Sequence, residues 1–355
     1  MPSRLKATCK KHNLNFNFDA RTSRGAMKQH SVWYIQVWHE SYPDIVGLGE
    51  AAPLPGLSVD DVPNFENKLI STLNNLNIKS IKETLSDLVE FPSIIFALET
   101  ALNDLKNGGV HKIFDTGFYD GTLQIPINGL IWMGSIENMT KQITDKIDEG
   151  FSIIKLKIGG NNFEDELQLL KKIRNEFSLN DLEIRLDANG AFAPEDALLK
   201  LNQLSEFEIH SIEQPIRPKQ IELMAELIKK SPIPIALDED LIGIIENKSK
   251  EELIKIIGPH YLILKPTLLG GFVHTNEWIE IAENNKIGWW LTSAMESNIG
   301  LNAICQFASQ FDVNKVHGLG TGKLYNNNIN SPLQVSNCFI SYNQNSKWDH
   351  ISNLK

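Results

Sequence analysis

Cysteine is scarce in this chain. Only Cys9, Cys305 and Cys338 occur among 355 residues. Their odd number and wide spacing exclude a disulfide framework and a cysteine-based zinc site, and they fit a reducing compartment. Positive charge is in the minority, with 34 Lys and Arg against 44 Asp and Glu, a net charge of -10 and a pI near 5.4. No basic cluster with interleaved aromatics occurs, so neither nucleic acid nor an anionic membrane is an expected partner. Long apolar runs are missing too. Nothing approaches the roughly 18 apolar residues of a membrane span. The opening "MPSRLKATCKKHNLNF" has no apolar run of signal-peptide length. The expectation is a cytoplasmic protein, with monomer and homo-oligomer both left open.

Hydrophobic residues make up 42% of the chain, enough for a large core. Residues 1–120 read as an α+β unit. "VWYIQVW" (32–38) and "IVGLGEAAPLPGLS" (45–58) are strand-like, the second ending in Gly/Pro punctuation. "PSIIFALETALNDLKNGG" (92–109) starts on Pro92, keeps apolar residues at helical spacing and stops at Gly108-Gly109. Residues 121–325 change character. Candidate strands end near Asn128, Lys157, Asp187, Glu213, Asp238, Lys265, Thr292 and His317. The intervals run from 25 residues (Glu213 to Asp238) to 30 (Lys157 to Asp187). Each interval accommodates a strand, a helix and two short loops, which predicts a parallel α/β barrel. Residues 326–355 carry one strand-like piece, "CFISY", expected to pack back on the first unit.

Chemistry-bearing residues recur at the same point of successive units. "LEIRLDANG" ends a strand at Asp187, "EIHSIEQPI" at Glu213, "IPIALDED" at Asp238 and "YLILKPTLLGG" at Lys265. In a parallel barrel these ends meet at one mouth. Three carboxylates gathered there repel one another unless a cation joins them, and an all-oxygen set suits Mg²⁺. "IIKLK" aims Lys155 and Lys157 to one side of a strand, because residues two apart share a face. Lys157 and Lys265 fall on opposite walls of an eight-stranded barrel. A lysine becomes a useful base only when burial and a neighbouring cation lower its pKa from about 10.4. Lys155 and the metal are placed to do that to Lys157. The site suits removal of a proton next to a carboxylate. Taken alone, the lysine pair also reads as a solvated strand face, and each acid as a helix cap or turn residue.

The ordered segments "KLK", "LDAN", "IEQP", "LDED" and "LKP" resemble the enolase superfamily, in its muconate-cycloisomerase-like subgroup. The resemblance covers nearly the whole chain. It implies an enolase-like fold, an α+β capping domain plus a modified (β/α)7β barrel of the TIM type. It also implies Asp187, Glu213 and Asp238 as Mg²⁺ ligands, with Mn²⁺ as a possible substitute. Lys157 would be the base and Lys265 the opposed lysine, with Lys155, Asn189 and Glu239 supporting them and Glu239 beside Lys265. "TSAMESNIGLNAICQFAS" (292–309) and "HGLGTGKLY" (317–325) look most like the o-succinylbenzoate synthase family of menaquinone biosynthesis. That family dehydrates a cyclohexadiene carboxylate, so a small-molecule carboxylate is the expected partner. Lys265 would then stay protonated. Arg24, Arg185, Ser293 and Gly320 are candidate substrate contacts, and loops 21–27 and 51–58 candidate lids. Arg185 would meet either a substrate carboxylate or another acid. The seventh strand, "GWWLTSAM", lacks the His of the mandelate-racemase subgroup. "HGLGTG" lacks the acid pair of dipeptide epimerases. N-acylamino-acid racemase activity stays open as an alternative, and a non-catalytic scaffold as a remote one. Asp240 reads as a solvated loop acid, His317 as a residue that orients backbone, and Trp289 and Trp290 as core. Glu296 and Ser293 read equally as site residues or as caps of the helix near Ser297.

Overall fold

The computed structural model describes residues 5–22 and 25–351. The chain opens with an antiparallel meander: β1 (Leu5–Thr22), β2 (Gly25–His39) and β3 (Tyr42–Ala51). Three helices follow, α1 (Phe65–Asn74), α2 (Ile81–Ser86) and α3 (Pro92–Lys106). Pro92 opens α3, where a missing N–H costs nothing. Past its end, Gly108 and Gly109 take the positive φ that glycine adopts freely. Ile94, Ile95, Leu98 and Ala101 of α3 are buried against the sheet. The "GLG" of β3 permits this approach. A Cβ on Gly47 would lie 1.9 Å from the Ala101 carbonyl oxygen, and one on Gly49 2.0 Å from that of Ala97.

The second unit alternates strands and helices. β4 (Ile125–Pro126) and β5 (Gly129–Ile131) lead through α4 (Ile136–Asp148) to β6 (Ile153–Lys157), α5 (Phe163–Glu176), β7 (Glu183–Asp187) and α6 (Pro194–Ser205). Then come β8 (Ser211–Glu213), α7 (Ile221–Lys230), β9 (Ile235–Leu237), α8 (Asn247–Ile257), β10 (Tyr261–Leu264), α9 (Pro266–Leu269), α10 (Gly271–Asn284), β11 (Gly288–Leu291) and α11 (Asn298–Ala308). Strands β5 to β11 form one parallel sheet in chain order. Parallel bridges from Ile127 to His317 and from Thr292 to Gly318 join its two edges. The expected eighth strand is therefore a pair of bridge residues. The first strand runs on to Ile131, past the expected Asn128, because Ile125–Pro126 pairs elsewhere.

The last segment forms a hairpin, β12 (Leu333–Ser336) and β13 (Phe339–Tyr342), whose second strand pairs with β4. It also reaches the meander: Asn327 Oδ1 accepts from Asn15 N at 2.7 Å. A second tie joins the two units. Glu50, fully buried at the end of β3, accepts from Ser297 N (2.7 Å), Ser297 Oγ (2.5 Å) and Gly300 N (2.8 Å). A carboxylate thus sits on the positive end of the α11 dipole. Among the described residues, no helix is long and apolar enough to cross a membrane.

Candidate active site

Strand register assembles the site. Lys157, Asp187 and Glu213 are consecutive Cα partners across β6, β7 and β8. One pleat earlier, Lys155, Arg185 and Ser211 form the same row. Asp238 and Lys265 follow the last residues of β9 and β10. All five candidate residues, with Lys155, are buried.

The side chains converge. Lys155 Nζ bridges Asp187 Oδ2 (2.9 Å) and Glu213 Oε2 (2.5 Å). Lys157 Nζ donates to Asp187 Oδ2 at 2.7 Å and to Asn189 Oδ1 at 2.9 Å. Asn189 sits at φ +45°, its backbone N–H on Asp187 Oδ1 and its Nδ2 on Glu239 Oε1 (both 3.0 Å). Lys265 Nζ donates to Asp238 Oδ2.

Burial and charge separate the two opposed lysines. Desolvation lowers the Lys157 pKa and prevails there, since the pull of Asp187 is countered by the neighbouring Lys155 cation. Desolvation also acts on Lys265, but Asp238, Glu213 and Glu239 outweigh it and hold its pKa above the usual range. Lys155, between three carboxylates, is likewise held up. Glu213 is driven well above the carboxylate range, first by burial and then by Asp187. Glu213 Oε1 is buried without a hydrogen-bond partner.

The donor set suits a hard dication: three buried carboxylates, one with an unspent oxygen, around a point where an ammonium already bridges two of them. As arranged, no group of three acidic, imidazole or thiol side chains among the described residues forms a metal cage. Lys155 Nζ occupies the position between Asp187 and Glu213.

A cavity opens over these groups. Lys155, Lys157, Asn189 and Lys265 give it a polar lining, three of the four cationic, and Leu54, Leu130, Trp132, Ala294 and Met295 give it apolar walls. Ser293 and Gly320 line it as expected. Ser293 Oγ is already engaged, donating to Glu296 Oε2 at 2.6 Å and accepting from Met295 N at 2.9 Å. Neither Ser293 nor Glu296 caps α11. Ser297 does so through its own hydroxyl, which accepts from Ile299 N.

Several expectations need correction. Of the two readings of Arg185, the structure shows the one in which it meets another acid, and it does not line the cavity. Its Nε donates to Glu183 Oε1 at 2.8 Å and its guanidinium lies 4.4 Å from the Trp290 ring centre, inside the barrel one pleat below the site. Asp240 is buried rather than solvated. The 3₁₀ turn Glu239–Leu241 swings it back to accept from Gln214 Nε2 (2.7 Å) and Lys219 N (2.6 Å). Glu239 takes a hydrogen bond from Asn189, and its charge also acts on Lys265. Most of the expected loop 21–27 is strand, the facing ends of β1 and β2. Arg24 lies outside the described residues. Sequence reading passed over Trp132, Leu54, Met295 and Gln214. The "QP" after Glu213 held a signal for the last: Gln214 Oε1 accepts from Asp238 N and Asp240 N.

Fold and site define a class. A family model described as "Enolase C-terminal domain-like" matches residues 138–344. The chain belongs to the enolase superfamily. Within that superfamily it is similar to the o-succinylbenzoate synthase of Desulfotalea psychrophila, 39% identical over 363 residues, covering 94% of this chain and 98% of the relative. The crystal structure of MenC from the same organism superposes with a TM-score of 0.84 at 37% identity, covering 96% and 100% of the two chains. A dipeptide epimerase from Enterococcus faecalis, complexed with Mg and the dipeptide L-Leu-L-Tyr, shares the fold with a TM-score of 0.78 at 20% identity, covering 96% and 97%.

Proposed function

We propose that this protein is a Mg²⁺-dependent o-succinylbenzoate synthase, a cytoplasmic lyase of menaquinone biosynthesis. It would convert 2-succinyl-6-hydroxy-2,4-cyclohexadiene-1-carboxylate to 2-succinylbenzoate by loss of water. The observation that carries the reading is geometric: Lys157 and Lys265 line one apolar-walled cavity and are hydrogen-bonded to opposite members, Asp187 and Asp238, of one buried carboxylate trio.

Lys157 is the member whose surroundings favour the neutral amine, so it is assigned the proton on the ring carbon α to the carboxylate. The resulting ammonium returns that proton to the departing hydroxyl on the same face. The ring becomes aromatic, water leaves and Lys157 is neutral again. Lys265 keeps its proton and offers a fixed positive charge to the enediolate. Asn189 orients the Lys157 amine, and the apolar walls keep bulk water from the intermediate. Asp187, Glu213 and Asp238 would hold Mg²⁺, which supplies Lewis-acid stabilisation of the carboxylate charge.

The test is loss of the diene's absorbance on adding purified protein. Bleaching should require a divalent cation and should vanish in Lys157→Ala. Activity that survives both EDTA and that substitution overturns the proposal. The opposed lysines also suit racemisation of N-acylamino acids, with one amine on each face of the α-carbon. Entry of solvent deuterium into N-succinyl amino acids at that carbon would place this second activity on the same site.

A further inference from the structure

Trp132 stands between two hollows. Among the described residues, it is the one shared by the linings of the catalytic cavity and of a neighbouring cleft bounded by Phe18, Asp19, Arg21, Met133, Asn138 and Gln142. Lys155, Lys157 and Lys265 line the cavity, and Arg21 lines the cleft, its exposed guanidinium 3.7 Å from the exposed Asp19 carboxylate. The indole is buried, 8% exposed.

Its position is built. Trp132 follows the last residue of β5, where strand pairing has stopped. The side chain of Gln142 on α4 replaces that pairing. Trp132 N donates to Gln142 Oε1 at 2.8 Å, and Gln142 Nε2 donates to Trp132 O at 3.0 Å. Gln142 is itself held by a 2.7 Å bond from Nε2 to Asn138 Oδ1. From the meander, Phe18 meets the indole edge to face, with ring centres 5.3 Å apart at 62°. Backbone and ring are therefore both fixed, and a fixed aromatic makes a hard boundary.

We propose that Trp132 is a specificity-determining wall that sets the length of the acyl arm the site accepts, and that the cleft behind it would receive an arm ending in an anion, which Arg21 would pair. This rests on reading the cavity as an aromatic-carboxylate site. The cavity walls around Trp132, Leu54, Leu130, Ala294 and Met295 are apolar, so each methylene admitted or refused would change affinity by a modest, measurable factor. Gln142 is a positioning residue for this wall. Without its amide the Trp132 backbone loses both hydrogen bonds and the indole is free to shift.

The experiment measures binding by calorimetry, so it does not depend on turnover. The probes are benzoates with a short (succinyl) or a long (suberoyl) ortho arm, each ending in a carboxylate. They are titrated into the parent protein, Trp132→Ala, Trp132→Phe and Gln142→Ala, each shown folded by circular dichroism. The ratio of long-arm to short-arm affinity should rise about tenfold or more in Trp132→Ala, less in Gln142→Ala and least in Trp132→Phe. Adding Arg21→Ala to Trp132→Ala should remove much of the gain for the long diacid but not for its neutral methyl ester at the arm's end. An unchanged ratio in folded Trp132→Ala overturns the wall. A gain insensitive to Arg21 overturns the role of the cleft. A parent that binds these benzoates but bleaches no diene would refute the proposed reaction while leaving the wall standing.

Discussion

Lys157 and Lys265 are the same residue type facing the same buried acids, yet their proton affinities diverge because their neighbours differ. Lys157 shares its carboxylate with a second ammonium, and Lys265 has Asp238 as its own hydrogen-bonded partner. Lys157→Ala is expected to lower kcat by about a thousandfold or more, the range for loss of a general acid–base group, with little change in KM. Steady-state kinetics with the diene would check this. His317 gives a pH test at the same scale. Burial, reinforced by Lys315 and Arg185, pushes its pKa from 6.5 down to about 3. Its Nδ1 accepts from Leu291 N at 3.0 Å, so the folded state keeps the ring neutral. The unfolded chain takes up the proton first. The stability contribution is therefore full above pH 6.5 and is lost as pH falls towards 3, by an amount of order a few kcal/mol. His317→Asn keeps an acceptor that cannot charge. Between pH 7 and pH 4 it should lose less stability in urea melts than the parent does. The role of His317 in orienting backbone was legible from its place at a strand end. The destination of Arg185 was not. Strand alternation gives the face a side chain points to, but not how far along the barrel axis its partners lie.

Among the elements, β3 and α3 show how tightly backbone is packed against backbone. Gly49→Ala would drive a methyl group into the Ala97 carbonyl, and neither partner is a flexible side chain that can yield. The expected cost is about 3 kcal/mol or more, at the upper end for overpacked sites, read from the urea midpoint. The helical period and terminal glycines announced α3. Gly47 and Gly49 of "GLGEAAPLPG" read only as punctuation, because the reason for them, Ala101 and Ala97, lies about fifty residues away in sequence. The turn after β9 failed for a related reason. Asp238, Glu239 and Asp240 are adjacent acids, and adjacency in an exposed loop would have left the third in water. A 3₁₀ turn points all three inward, and the buried side chain of Gln214, brought in by β8, holds that placement together with Lys219 N. Barrel strands β6 to β11 were readable because a polar residue closes or directly follows each apolar run. The eighth was overestimated, since two bridges are enough to close the sheet.

For the whole molecule, the regular spacing of strand ends carried the architecture and the positions of the catalytic candidates. The cavity walls could not be read that way, because Leu54, Trp132 and Met295 come from three distant segments and meet only after folding. Glu50 is one point where the two units depend on each other. Glu50→Gln replaces one acceptor oxygen with an amide that cannot accept from Ser297 or Gly300. It should cost about 1–3 kcal/mol, the range for stranding a buried donor. Calorimetry should show one transition for the parent and a broadened or split one for Glu50→Gln as the units uncouple. A chimaera with a meander borrowed from a relative would therefore inherit a working mouth only if the graft brings its own acid for the Ser297 seat. Shuffling such enzymes for new specificities is better cut outside that junction than through it.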